Sequence, residues 1–534
     1  MTDSLRGVRT RAVKTPTPRN APVSTKVQAD QVINNTGGYV FTIGDIEQAK
    51  RFLVLGSESN FYRAGADLSA ENAAAVTRLA EGGAQSSRKL VDTIVEISTE
   101  GRAPKANPAL FALAIAVSHG DDESKRYAFS QLPAVARTAT HLFIFVSYAL
   151  QFRSWGRAMR RAVAEWYTSK TADQAAFQVV KYQAREGFSH RDLFRLSHPV
   201  TDDAAFKGLG EWILRGDTSD VPRIVTGVVK ARTASVSEVP ALIREYGLSW
   251  EMVPTESLNE IATWDALLEK NLPLGALLRQ LPRLTRIGFF APFSDNTTKV
   301  VARLTDKEEL TRARIHPISL LVAQKTYAFG QSERGSGTWS PVREIVDALD
   351  SAFYLAFKTI EPANKNTMIG VDVSGSMSWG TISGLPLQPN EVAGALALVT
   401  MATEPKTLVY GFGSSLVDLK ISPSQRLDTV LRNMSGMNFG STNPGALIQK
   451  AISDNIPVET FLVITDNEVN TGRHVFELLK KYRAKTGIPA RMIVVGTTAS
   501  RFSIADPSDS LSLDVAGFDS ATPALIADFS RGNL

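Results

Sequence analysis

The sequence predicts a multidomain chain of α and α/β parts: a helical array over residues 31–360, then a doubly wound parallel-sheet domain over residues 361–534, behind a flexible basic tail at residues 1–30. Three observations predict it. Helical stretches with short breaks follow one another from about residue 45 to 360. Beyond residue 360, short β-rich runs alternate with helical ones. At 534 residues the chain also exceeds what one ordinary core serves, and an apolar share of 43% with 21% charged residues belongs to a globular protein.

The tail mixes cations with prolines (Arg6, Arg9, Arg11, Pro16, Pro18, Pro22) and lacks the apolar run of a secretory leader, so it is expected to be flexible. In the array, Gln85 to Ser98 puts Leu90, Val91, Ile94, Val95 and Ile97 on one broad face, with Gly82 and Gly83 before it and Gly101 after it. Asn107-Pro108 reads as a cap followed by proline at the first helical position, and Leu110 to Val117 fills a buried helix ended near Gly120. Ser189 with Asp192 three residues on is a capping-box variant, and Pro199 stops that helix. Helices of this length with short breaks are the texture of a helical-repeat array, although no fixed sequence period runs through it.

In the second part the expected strands are Thr367–Val373, Lys406–Phe412, Glu459–Thr465 and Ala490–Val495. The expected helices are Glu391–Met401, Pro444–Ser453 and Arg473–Tyr482. A strand that returns through a helix lies parallel to its predecessor, which builds a doubly wound sheet. The boundary falls near residues 355–366, after a glycine-rich loop at Gly330–Gly337 and a last helix from Pro341 to Phe357.

Composition removes several function classes. The chain has no cysteine, which excludes disulfides, zinc thiolates and cysteine nucleophiles and suits a reducing compartment; the expected location is the cytoplasm. Six histidines leave little for a His-rich metal centre. The longest apolar stretches, such as Ala109–Val117 and Leu142–Val146, are core-sized, so no membrane partner is expected. Of the net charge of +5, residues 361–534 contribute none, holding 14 Lys and Arg against 16 Asp and Glu; the basic excess lies upstream and suits a polyanion. Gly440-Ser-Thr-Asn-Pro-Gly445 lacks the lysine of a phosphate-binding loop and no G-x-S-x-G elbow occurs, so no catalytic residue is assigned and no enzyme is expected.

The sharpest pattern is Asp372-Val-Ser374-Gly-Ser376, where the first strand of the second domain ends. Gly440-Ser-Thr442 precedes a helix, and Thr465-Asp466 closes the third apolar run. Ligands in open α/β sheets bind beyond the carboxyl ends of strands, so these sets are expected to meet. A hard dication takes about six oxygens. Asp372 and Asp466 supply charge; Ser374, Ser376 and Thr442 supply neutral oxygens. One divalent cation, Mg2+ or Ca2+, is expected there, electrophilic enough to accept an acidic ligand. Singly, serine-rich turns cap helices and an Asp shapes a turn. Their joint order points to a cation and resembles the metal-ion-dependent adhesion site of von Willebrand A domains, over residues 366–500. Asn443 departs from that pattern, standing where many A domains carry Asp.

Two segments of the array concentrate cations among aromatics. Trp155 to Tyr167 puts Arg157, Arg160 and Arg161 on one side of a helix; Lys181 to His198 sets Lys181 and Arg185 one turn apart, with His190 and Arg191 near a helix start. Guanidinium forks grip phosphate oxygens in pairs, and an imidazole reaches sugar or base. The same residue types also make an ordinary solvated face beside a core stripe.

The strings Trp155-GRAMRRAVAEWY, KYQAREGFSHRDLFRLSH and Trp339-SPVREIVDALDSAFYLAF resemble the Ro autoantigen family of TROVE-domain RNA-binding proteins. Phe52-LVLGSE, Pro273-LGALLRQLPRLTRIG and the order of the two domains agree, over about residues 38–534. The resemblance implies HEAT-like helical repeats that close into a ring. It also implies small Y-like RNAs on the outer basic surface, single-stranded ends of structured or misfolded RNAs in a central hole, and an exoribonuclease partner; DNA is not expected. It carries Lys181, Arg185, His190 and Arg191 over as RNA contacts, with Arg157, Arg160 and Arg161 beside them. Arg279, Arg283 and Arg286 are candidates for lining the hole. The expected function is a noncatalytic ribonucleoprotein scaffold in RNA processing, quality control, decay and stress survival. The alternative is an A-type module that captures a protein partner or handles metal without RNA.

Overall fold

A computed structural model describes residues 21–56, 65–290, 294–332, 336–356, 361–382, 386–435, 437, 440–517 and 522–533. The first twenty residues of the expected tail, residues 333–335 of the glycine-rich loop, and Phe357 lie outside the described residues.

The helical part runs from Asp45–Leu55 to Arg343–Leu355. Its helices form where the local chemistry asks for them. The helix expected at 85–98 spans Ala84–Glu100 and ends at Gly101, whose φ of 71° no bulky residue adopts cheaply and whose N–H bonds Ile97 O. Asn107–Ala116 holds proline in its first turn and buries seven of its ten residues, but Ala106 and not Asn107 stands at the cap, with no side-chain cap bond. His190–Ser197 opens on the expected capping box: Ser189 N–H donates to Asp192 at 2.9 Å, and Asp192 N–H to Ser189 Oγ at 3.3 Å.

The array closes into a ring. Arg314 donates to Thr99 O, and His316 Nε2 to Arg102 O at 2.9 Å, across more than 200 residues of sequence. His316 Nδ1 accepts Ile318 N–H at 3.1 Å and so caps its own helix, which leaves the proton on Nε2. These bonds join the end of helix Ala84–Glu100 to the turn between Lys307–Ala313 and Pro317–Phe329, and a cavity of about 650 Å³ lies against them.

Among the described residues the strands are β1 (Gln31–Ile33), β2 (Tyr39–Thr42), β3 (Ala184–Arg185), β4 (Phe188–Ser189), β5 (Thr367–Asp372), β6 (Thr407–Phe412), β7 (Leu416–Asp418), β8 (Thr460–Thr465), β9 (Arg491–Gly496), β10 (Phe502–Ser503) and β11 (Ser512–Ala516). The main sheet has the order β11-β9-β8-β5-β6-β7 and is parallel except for the edge strand β7. Side chains alternate between its two layers. Met368, Phe461, Val463, Met492 and Val494 face helices Gly445–Ser453 and Val475–Thr486, while Ile369, Val371, Leu462, Ile464, Ile493 and Val495 face the core shared with the ring. The four expected strands stand as β5, β6, β8 and β9. The edge strands β7 and β11 and helices Leu427–Ser435 and Thr522–Arg531 were not foreseen.

Residues 21–42, assigned from sequence to the tail and the start of the array, lie on the α/β domain. β2 pairs with β10, Val23 and Val40 join the core under Val475–Thr486, and Val23 N–H bonds Gly472 O at 2.9 Å. Strands of three and four residues carry too little alternation to announce themselves. The two domains also meet through Lys325, whose Nζ lies 2.7 Å from both oxygens of buried Glu391, and through Asp350, which accepts Leu427 N–H at 3.1 Å.

Candidate cation site and RNA-binding surfaces

The strand order reverses at β5 and β8: β5 leads to β6 on one side, and β8 to β9 on the other. Loops leaving adjacent strands there diverge and open a crevice at their carboxyl ends. Asp372 ends β5 and Asp466 follows β8, so both carboxylates sit at that point. Asp372 is wholly buried; its Oδ1 accepts Ser374 N–H at 3.0 Å and its Oδ2 accepts Thr465 Oγ1–H at 2.6 Å. The hydroxyls of Ser374 and Ser376 lie 3.0 Å apart, and Ser376 hydrogen-bonds Asp466. Asp466 Oδ1 also accepts Glu468 N–H at 3.0 Å. Thr442 is buried and its N–H bonds Asn470 Oδ1 at 2.9 Å, which ties its loop to the one after Asp466.

Burial pushes the Asp372 carboxyl up to about 7, with the neighbouring Asp466 adding to the shift. Asp466 is raised by its own burial. Two carboxylates sealed from water beside each other repel, and hydroxyl donors offset only part of that cost. The donor set, two carboxylates and three hydroxyls, fits a hard dication, which would relieve both burial and repulsion.

The two cationic segments of the ring fold onto neighbouring elements. Helix Arg157–Thr168 packs beside His190–Ser197, with Arg160 Nε 3.4 Å from Ser197 O and Trp155 Nε1 donating to Leu196 O at 3.3 Å. Arg157, Arg160, Arg161, Arg185 and Arg191 are all exposed. Two expected contacts differ. His190 is 3% exposed: its Nε2–H donates to Tyr182 O at 2.8 Å, and Nδ1 accepts Tyr167 Oη–H at 2.7 Å, so no ring nitrogen is left for RNA. The capping box that made this stretch legible turns the residue after Ser189 inward. Lys181 is sheltered, 3.6 Å from Glu251 Oε1 and over the Phe177 and Tyr182 rings. The exposed imidazole of the segment is His198, a C-cap with φ of 47°, which the sequence reading did not single out.

The cavity at the closure is lined by Arg137, Arg279, Arg312, Arg314 and His316, and no carboxylate lines it among the described residues. Of these only Arg279 was anticipated. Arg137 and the Arg312–Arg314 pair sit at helix ends, outside any helical period that a sequence pattern displays. Arg283 and Arg286 line an adjoining pocket of about 430 Å³ that shares Arg279, Pro282 and Thr326 with the first.

Comparison with known proteins agrees domain by domain. The TROVE domain model matches residues 32–216 and 245–328, and the Ro60 vWA domain model matches residues 366–530. The fold and these matches define a protein with a TROVE ring and an A-type domain. The RNA-binding protein RO60 of Deinococcus radiodurans is 39% identical over 526 residues, covering 97% of this chain and 98% of that protein. The RNA-binding protein RO60 of Caenorhabditis elegans is 33% identical, covering 95% and 91%. The crystal structure of the Deinococcus radiodurans RO (RSR) protein superposes with a TM-score of 0.68 at 37% identity, covering 92% of this chain and all of that one. The chain belongs to the Ro60 family, whose named members here are RNA-binding proteins. Among the described residues no helix is long and apolar enough to cross a membrane.

Proposed function

We propose that the chain is a noncoding-RNA-binding protein that holds small Y-like RNA on its outer basic face and takes single-stranded ends of structured or misfolded RNA into the ring. In this reading it is a noncatalytic cytoplasmic scaffold that presents RNA to an exoribonuclease for processing, quality control or decay. One divalent cation, Mg2+ or Ca2+, occupies the site of Asp372, Ser374, Ser376, Thr442 and Asp466.

One observation carries the reading: among the described residues, four arginines and no carboxylate line the cavity at the closure. Burial and the nearby Arg314 both lower the Arg137 guanidinium from its usual range. Cations gathered without a counter-charge repel until an anion arrives, and a sugar-phosphate strand brings one charge per nucleotide. The outer face adds Arg157, Arg160, Arg161, Arg185 and Arg191, all reachable from solvent.

The test is fluorescence anisotropy with an unstructured RNA oligonucleotide and the full chain across a salt series. Replacing Arg137 and Arg312 by glutamine is expected to flatten the log–log salt slope by about 1.4, two lost single-strand phosphate contacts. An unchanged slope and affinity would refute occupancy of the cavity.

A further inference from the structure

We infer that the pocket lined by Arg279, Arg283 and Arg286 is a site for the terminal phosphate of an RNA strand, so that the protein distinguishes phosphate-ended from hydroxyl-ended RNA. This rests on the single-strand reading above.

The three arginines stand on the helix Leu274–Arg286 at intervals of four and three residues, so their side chains leave one face. The pocket they line with Gln280, Thr326 and Ser332 holds about 430 Å³, room for a phosphate and its attached sugar. Among the described residues no carboxylate lines it, and none pairs with any of the three guanidinium groups. Elsewhere in the chain Arg51, Arg78, Arg244, Arg303, Arg426 and Arg483 each meet a carboxylate at 3.0 Å or closer. Arg283 is half-buried, and its Nη1 is sealed from solvent with no hydrogen-bond partner. A sealed, unmatched donor on a half-buried cation is costly, and an anion that supplies an acceptor there relieves the cost. Arg286 lies close against the adjoining loop, where a Cβ built on Gly337 would stand 2.6 Å from its Nη1.

The geometry favours an end over a passing strand. An internal phosphodiester has one negative charge and a sugar on each side, which keeps it out of a recess. A terminal monoester carries about −1.5 to −2 near neutral pH and presents three free oxygens to the guanidinium forks. The pocket adjoins the cavity at the closure, sharing Arg279, Pro282 and Thr326 with it, which puts it within reach of the end of a strand held there.

The experiment measures binding of one unstructured RNA sequence to the full chain with both ends hydroxyl, with a 3′-phosphate, and with a 5′-phosphate. One of the two phosphate ends is expected to tighten binding about tenfold, the effect of one or two charge-assisted hydrogen bonds, and its identity gives the polarity of the strand. Arg283→Gln and, independently, the exposed Arg286→Gln should bring the ratio of phosphate-ended to hydroxyl-ended affinity to about 1. Equal affinity for all three oligonucleotides, or a preference that survives both variants, overturns the terminal-phosphate site while leaving the single-strand reading intact. Failure of every oligonucleotide to bind overturns the single-strand reading, and this site with it.

Discussion

Arg51, on the first helix of the ring, meets Asp514 of β11 at 2.5 Å, and the arginine side chain is fully buried. The same guanidinium donates to Ser500 O at 2.9 Å and Phe502 O at 2.7 Å, so one side chain joins the ring, the sheet edge and β10. A buried cation of this kind holds the ring's first helix in place only while its acceptors remain. Asp514→Ala should destabilise the protein by about 3–5 kcal/mol in urea unfolding, because the guanidinium loses its anion where water cannot replace it. The double variant Arg51→Met with Asp514→Leu should recover much of that loss, since the unpaired charge is gone. A single-variant loss within about 0.5 kcal/mol, the range of an ordinary surface substitution, would show that the pair does not hold the join.

The cation site makes a second prediction with two readouts. Asp372 sits wholly buried beside Asp466, with its carboxyl raised by burial first and by that neighbour second. Asp372→Ala removes a ligand and also removes the repulsion. Titration calorimetry with Mg2+ or Ca2+ should therefore lose its binding heat, while far-ultraviolet circular dichroism keeps the helical signal of the ring. Unchanged cation affinity in that variant would sink the ligand set.

How far the sequence carried these conclusions depended on whether a feature is local. Asp372, Ser374 and Ser376 are legible because three oxygen-bearing side chains fall within five residues at a strand end, and β5, β8 and β9 because continuous apolar runs mark strands buried on both faces. His190 misled because a capping box and a string of cations read the same whether the residue between them faces water or Phe143, against whose ring it packs with centroids 4.9 Å apart. Arg137 and Arg314 were invisible because the cavity they share exists only once the array has closed on itself. Residues 31–42 were missed for a related reason: their strand partner, β10, lies some 460 residues away in sequence.

The outer face predicts a charge effect that separates its arginines from Lys181. Arg185 and Arg191 are exposed, and among the described residues Arg185 pairs only with its exposed neighbour Glu186. Such a pair contributes little and yields readily to phosphate. Reversing both to glutamate should weaken binding of a structured small RNA and flatten its salt dependence by about 2 in log–log slope, as two duplex phosphate contacts would. Lys181 must first leave Glu251, 3.6 Å away, before it reaches a phosphate. A gel shift showing full affinity in the double reversal would remove this face from the RNA-binding surface.

The interior placement of His190 gives a prediction that its imagined role at the surface would not. Burial drives its imidazole down to about 4, against an ordinary value near 6.5, with the bond to Tyr182 O opposing the shift. Between those two values the unfolded chain binds a proton that the folded chain refuses. Stability conferred by neutral His190 is thus present above about pH 6.5 and is lost as pH falls towards 4, by up to roughly 3 kcal/mol. His141, also lowered to about 4 by burial, contributes a second proton of the same sign. His190→Gln should therefore lower stability at pH 7.5 yet remove about half of the acid-side slope in urea unfolding between pH 7 and 4.5. RNA affinity at pH 7.5 should be unchanged while the variant remains folded, because no ring nitrogen of His190 faces outward. A variant that keeps the full slope but loses RNA would put the histidine back on the surface.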